Sequence, residues 1–202
     1  MAREMIRQGG RSARIQQAVH AATQALLAEV GRAAINVPMI AERAGVTPST
    51  VYRRWGDLAQ LLADVAAERL RPVADPEDTG SLEGDLRAFV LQYAEEMSSK
   101  VGRGLMRDVL AETGSDAAAS RCCSYTSAHL ETIRARALGR GEAGFDIDAA
   151  VDILIAPICY HILFSDRDPT PEYVLSLLAR FRALTGESPV RAIHRKKSAR
   201  VA

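Results

Sequence analysis

The sequence predicts an all-α fold that opens with a helix-turn-helix, and three observations predict it. Apolar residues recur at spacings of three and four along most of the chain. The breaks between those runs are Gly, Pro, Asn and Asp. No run alternates apolar with polar residues as a half-buried strand would. With 202 residues, 48% hydrophobic and 25% charged, the chain has the composition of a soluble globular protein of one large or two small domains. That composition excludes disordered, collagenous and disulfide-built classes. Three cysteines, two of them the neighbours Cys122 and Cys123, suit neither a disulfide framework nor a zinc site, so all three read as free thiols.

The elements follow in order. Residues 1–10 read as a flexible basic arm carrying Arg3 and Arg7. Residues 11–30 place Ile15, Val19, Ala22, Leu26 and Val30 on one helical stripe, which Gly31 ends. Asn36 suits an N-cap, Val37 and Pro38 the first turn, and Ile40, Ala41 and Ala44 a short buried face. Gly45 ends that helix where a positive φ is needed. Thr47 caps a second short helix from Pro48 to about Trp55, and Asp57 starts a third with Leu58, Leu61, Leu62 and Val65 on one face, ending near Arg71. The loop PVADPEDTGS (72–81) is the best domain boundary. Beyond it, helices are expected near 82–99, 102–113, 116–138, 147–165 and 171–185, with 72–185 forming a second domain and 186–202 a basic tail. The most apolar stretch, 149–165, is short of the ~20 residues of a membrane span. It also contains Asp152, His161 and Pro157, so a helix packed among other helices is expected and no membrane partner.

The net charge of +1 conceals a segregation: +4 over 1–71, −7 over 72–185 and +4 over 186–202. A basic front end on an acidic body is what a nucleic-acid-binding module on a non-binding domain shows. Segment 37–56 supplies the module. Two helices of about two turns cross around a Gly-containing turn; Ala41 allows the close crossing, and Ile40, Ala44, Val46 and Val51 form the seam. Pro48, Ser49, Thr50, Tyr52, Arg53 and Arg54 remain outside on the second helix, which a major groove can admit.

The run AERAGVTPSTVYRRWGDLAQLLADV resembles the DNA-binding signature of the tetracycline-repressor (TetR) family: an Ala-x-x-Ala-Gly-Val turn, a Thr-Val-Tyr-x-x-Trp recognition helix and a following Leu-Leu helix. The resemblance covers about residues 11–71. It implies a three-helix DNA-binding domain, with Tyr52 on a DNA phosphate, Ser49, Thr50 and Arg53 facing the groove, and Trp55 filling the small core. Arg14, Asn36, Thr47, Pro48 and Arg54 complete the expected DNA-binding set. Two positions depart from the family pattern. Leu58 stands where a phosphate-contacting Lys is common, and Pro38 where a polar contact is common, which leaves as the competing reading an interaction protein of the same fold with lost or altered DNA binding.

The resemblance also implies a homodimer through the last two long helices, near 147–165 and 171–185, and a small-molecule effector. Candidate effector-binding residues are Phe89, Tyr93, Met97, Met106, Tyr125, His129, Tyr160 and Phe164, with Leu105 and Leu110 nearby; the set favours an apolar or aromatic ligand. The expected reading is a ligand-responsive transcriptional regulator, a repressor released from a palindromic operator on double-stranded DNA, acting in the cytoplasm. No catalytic motif accompanies the His and Cys residues, and His161 and Cys159, two apart on a helix, point to different faces, so neither an enzyme, a metal site nor a cofactor is expected.

Overall fold

The computed structural model describes residues 2–111, 117–165 and 167–186, with side chains described from Gly10 to Leu184 within those ranges. Beyond Gly186 the expected basic tail lies outside the described residues, as do the expected ends at 112–113 and 116. Among the described residues there are helices and turns and no strand. The chain divides into two compact units: 1–75 with 95–129, and 76–94 with the chain from 130 onward.

The first unit begins with α1 (Ala2–Glu29), then α2 (Val37–Ala44), α3 (Pro48–Trp55) and α4 (Leu58–Arg69). The helical backbone of α1 reaches back to Ala2, so the segment expected as a flexible arm is helix; Arg3, Glu4, Met5, Arg7 and Gln8 are strong helix formers that outweigh the Gly9-Gly10 pair. The predicted stripe packs inward through Val19, Ala22 and Leu26, while Val30 is exposed where α1 ends at Gly31. These residues meet Ile40 and Ala41 of α2, Val51 and Trp55 of α3, and Leu61 and Val65 of α4 in one core. Full burial of each Leu or Ile there contributes about 1.5–3 kcal/mol.

Local signals set the chain reversals. Asn36 caps α2 by accepting from the Met39 N–H at 3.0 Å, and Asp57 caps α4 by accepting from Gln60 at 2.8 Å. Gly45 sits at φ 66°, and there the Val46 N–H closes onto the Ala41 carbonyl at 2.9 Å. Thr47 occupies the cap of α3 but does not bond its free amides. Its hydroxyl pairs instead with Ser49 Oγ and Thr50 Oγ1, each at 3.0 Å.

The first unit also holds the end of α5 (Leu82–Ser98), all of α6 (Lys100–Leu110) and the first half of α7 (Ala117–Gly139). Alanines Ala63, Ala66 and Ala67 of α4 pack with Val109 of α6 and Ala118 of α7, and Arg32 pairs with Asp108 of α6. Where α5 gives way to α6, a Cβ on Gly102 would fall 2.2 Å from the Glu96 carbonyl oxygen, so the chain passes only because that residue is Gly.

The second unit packs Leu86, Val90, Leu130, Ile133, Leu154, Ile158, Ile162, Val174 and Phe181 into its core, with Phe145 edge-on to Phe181 at 5.8 Å. Arg140 ties the entry of α5 to the end of α7, reaching Asp78 at 3.0 Å, Asp85 at 2.9 Å and Glu142 at 2.6 Å. Burial works against ionising Asp85, but hydrogen bonds from the Thr79 amide and hydroxyl and from Arg140 outweigh it and hold the carboxyl below its usual range. The helix expected over 147–165 is α8 (Ile147–Ala150), a π turn (Val151–Ile155) and α9 (Ala156–Phe164). Pro157 does not break it. The wider π turn just before Pro157 absorbs the missing N–H and the ring clash that would otherwise end an α-helix. Residues 147–164 are long and apolar enough, by length and composition, to cross a membrane. Their Leu154, Ile155, Ile158 and Ile162 stripe is buried in the unit instead. A last helix, α10 (Pro171–Gly186), completes the unit.

Two glycines of α6 should respond oppositely to the same substitution. Gly104 has open space where a Cβ would go, so Gly104→Ala should stabilise by about 0.5–1 kcal/mol and raise Tm by about 2 °C. Gly102→Ala should lower Tm by more than that, because the carbonyl it meets belongs to the backbone and cannot swing away; thermal unfolding of the two variants checks the pair.

Candidate nucleic-acid interface

The surface of α3 is what its packing leaves over. Val51 and Trp55, four residues apart, are buried, which turns Pro48, Ser49, Tyr52 and Arg53 outward, with Thr50 half-buried between them. Tyr52, at 49% exposure, keeps its hydroxyl clear of the core. Beside these residues an open cleft of about 410 Å³ is lined by Arg11, Ser12, Ile15, Thr50, Arg53 and Arg54, so the start of α1 adds positive charge next to α3. Arg14 is exposed on the same helix. Hydroxyls, one phenol and guanidinium groups on a helix held by a rigid core can bond phosphate oxygens and base edges.

Two residues of the expected DNA-binding set make bonds within the protein. Arg54 donates to the Ser12 carbonyl and hydroxyl at 3.0 Å and to Gln16 at 2.9 Å, and its guanidinium lies 5.2 Å from the Trp55 ring centre. It ties α3 to α1. Asn36 spends its side-chain oxygen on the α2 cap. Leu58, where the family often carries a Lys, packs against the three-helix core. Pro38 is exposed in the first turn of α2.

The sequence reading did not find the most connected polar group in this unit. Asp64 of α4 accepts from Trp55 Nε1 at 2.8 Å, from His20 Nε2 of α1 at 2.8 Å and from Arg121 of α7 at 2.6 Å. Burial raises the cost of its charge, yet these three hydrogen bonds outweigh it and hold the carboxyl far below the usual carboxylate range. Part of this was legible. A buried indole N–H needs an acceptor, and an acid between Leu62 and Val65 on an apolar face needs donors. Arg121, 57 residues away in sequence, gave no local signal.

The eight expected effector residues fall in three places. Phe89 and Tyr93 belong to the second unit, their rings 6.2 Å apart and the Tyr93 hydroxyl 3.2 Å from Cys159 Sγ. Met97, Met106, Tyr125 and His129 are half-buried in the first. Tyr160 and Phe164, expected on the inward side, are 61% and 74% exposed: they sit four residues apart on the side of α9 opposite the buried Ile158 and Ile162. The cysteines form no disulfide, and burial pushes the Cys122 thiol up, away from a reactive thiolate.

Comparison with known proteins agrees with this geometry. The profile for bacterial regulatory proteins of the tetR family matches residues 20–65, and that for a tetracyclin repressor-like C-terminal domain matches residues 76–181. The chain belongs to the TetR family. An HTH-type transcriptional regulator of Mycobacterium bovis is 30% identical over 167 residues, covering 78% of this chain and 81% of that one. YdeS of Bacillus subtilis, also an HTH-type transcriptional regulator, is 28% identical over 183 residues (80% and 85% covered), and AqdR of Rhodococcus erythropolis 28% over 155 residues (75% of each). The fold is shared with a crystal structure described as a TetR-family regulator from Mesorhizobium loti, at TM-score 0.53 and 17% identity over 86% of this chain and 98% of that one. This TetR-family chain is thus a DNA-binding transcriptional regulator and not an enzyme.

Because the folded carboxyl of Asp64 titrates below its unfolded value, its contribution to stability is complete above about pH 5 and is lost as pH falls through and below about 4. Asp64→Asn should cost about 1–3 kcal/mol near neutral pH, and the gap from wild type should close on acidification. Denaturant unfolding of both proteins between neutral pH and pH 3 measures it.

Proposed function

We propose that the TetR-family chain is a homodimeric repressor that binds a palindromic operator and is released from it by a small, largely apolar effector, and that it acts in the cytoplasm. The observation that carries the proposal is α3 itself. Its Val51–Trp55 side is locked into a closed core, while Ser49, Tyr52 and Arg53 stand outside it. In this reading Tyr52 and Arg14 contact phosphates, and Ser49, Thr50 and Arg53 face the groove. Thr47 and Pro48 set the height at which the helix enters it. Arg54, Asn36 and Trp55 act from behind by holding α3 and α2 in place.

Dimerisation supplies the second recognition helix, about 34 Å from the first along one face of the duplex. Support for it comes from the face that α9 leaves uncovered. Tyr160 and Phe164 stack at 5.6 Å, and the exposed Leu184 of α10 belongs to the same unit. Exposed aromatic side chains on an otherwise apolar helix are the composition of a helix-packing interface. The effector reading draws on the apolar and aromatic side chains of α5 and α9, with the Tyr93 hydroxyl as a polar handle. Release follows from linkage: an effector preferring a state with mis-spaced recognition helices lowers operator affinity, and operator lowers effector affinity by the same factor.

Purified protein should enrich a palindromic sequence from a random duplex pool. On that duplex Arg53→Ala should weaken binding about tenfold or more, and affinity should drop about a hundredfold for a roughly fourfold rise in salt. Loss of DNA binding in folded, dimeric wild-type protein would favour the interaction-protein reading instead. Phe164→Asp should give a folded monomer by light scattering, because it places a charge in the middle of the proposed interface.

A further inference from the structure

The Asp64 cluster reaches past the three-helix module to α7, and it does so through one side chain. We infer that Arg121 is a positioning residue for DNA recognition: through Asp64 it fixes the indole of Trp55, and so the C-terminal end of the recognition helix. The inference rests on the DNA-binding reading given above.

The geometry runs through three links. Trp55 is the last residue of α3, followed at once by Gly56 at φ 81°, so nothing helical continues beyond it to hold its direction. Its indole N–H has a single hydrogen to give, and it gives it to Asp64 Oδ2. That oxygen also accepts from His20, while the other oxygen, Oδ1, is held by Arg121. A carboxylate gripped on both oxygens cannot turn about its last torsion. Released from Arg121, it can turn, and the Trp55 and His20 bonds lose their common direction.

The surroundings make this one bond decisive for register. The start of α7 joins one apolar cluster with α4 and α6, in which Ala118 is buried with Ala63, Ala66, Ala67 and Val109, and Leu70, Leu105, Ala119 and Cys122 pack against it. Small side chains such as Ala118 offer little shape to resist sliding by an ångström or two. The resistance comes from the charge-assisted Arg121–Asp64 bond at 2.6 Å, which is short and directional. The joint is also reachable. Asp64, Trp55 and Arg121 line an open cleft of about 300 Å³ with Gln16, Arg54, Gln60, Ala117 and Ala118. A shift of the first turns of α7 therefore changes the setting of the helix that reads DNA.

Trp55 is the chain's sole tryptophan, so its fluorescence reports on the joint directly. In full-length protein, Arg121→Met should move Trp55 emission and increase its quenching by acrylamide, while unfolding stays cooperative and Tm falls by no more than about 10 °C. It should weaken binding to the enriched duplex about tenfold and binding to a random-sequence duplex less than about twofold, since phosphate attraction is retained. Arg121→Lys should recover most of both signals. Arg121→Met combined with Asp64→Asn should lose no more affinity than the worse single variant. If Arg121→Met does not fold, Trp55→Phe, which removes only the donor and part of the ring, should show the same selective loss of the enriched duplex. Unchanged emission, equal losses on both duplexes or additive losses in the double variant would each overturn the inference. Should wild-type protein enrich no sequence at all, the sequence-specific reading fails separately, and the fluorescence of Arg121→Met still decides whether the joint holds Trp55.

Discussion

An ionised carboxylate with 17% of its side chain exposed persists in a protein only where donors replace the water it has lost, and Asp64 has three of them on three helices. The small module around it has few other means of fixing the recognition helix. Alpha-helix α3 is eight residues long, too short to be stable by itself, and offers the core only Val51 and Trp55 as buried residues. Two side chains can hold a short helix down, but they leave rotation about its long axis weakly determined. The indole–carboxylate bond at one end removes that freedom, and Arg54 bonded to Ser12 and Gln16 removes it from the adjacent face.

The same accounting explains which parts of the structure were readable in the sequence. The turn between α2 and α3 is written in consecutive residues: Asn36 caps three positions ahead, Gly45 adopts a positive φ, and Ala41 leaves room for the crossing. Each of these is a local constraint, and each was legible. The extent of α1 was not, because residues 1–10 read as a flexible basic arm ahead of the apolar stripe that starts at Ile15. At Thr47 the cap position was legible but the bond was not, since neighbouring hydroxyls compete for the same group. The bonds of Arg54 were not legible, because its partners lie on α1, about forty residues earlier. Arg121 could not be placed at all. Pairings over such separations depend on how helices pack, which periodicity does not encode.

The apolar segment 147–164 shows a different limit. Its periodicity puts Val151, Leu154, Ile155, Ile158 and Ile162 on one stripe, and the structure buries all of these but Val151, which is half-buried. The other face is just as apolar, and pattern alone cannot say whether such a face meets a ligand, a neighbouring helix or a second chain. The fold separates these options in part. Tyr160 and Phe164 stand outside the core of their unit, whereas Phe89 and Tyr93 stand inside it or at its edge, with Tyr93 held by Cys159. Aromatic residues that form one set by composition thus belong to two environments.

A regulator also needs an arrangement that can be lost abruptly. A contact built from large interlocking side chains yields gradually as helices slide, since many weak attractions fade together. A cluster rich in small residues, Ala63, Ala66, Ala67 and Ala118 with Val109, accompanied by the ion pairs Arg32–Asp108 and Arg121–Asp64, behaves otherwise. The methyl contacts change little over a small displacement, while a charge-assisted bond is lost once its geometry is spoiled. Asp64 then has an oxygen without a donor in a partly buried site, at a cost of about 1–3 kcal/mol. In the proposed reading, placing that bond one residue-contact away from α3 gives a small movement a large effect on how α3 meets DNA, with no change needed in Ser49, Tyr52 or Arg53 themselves.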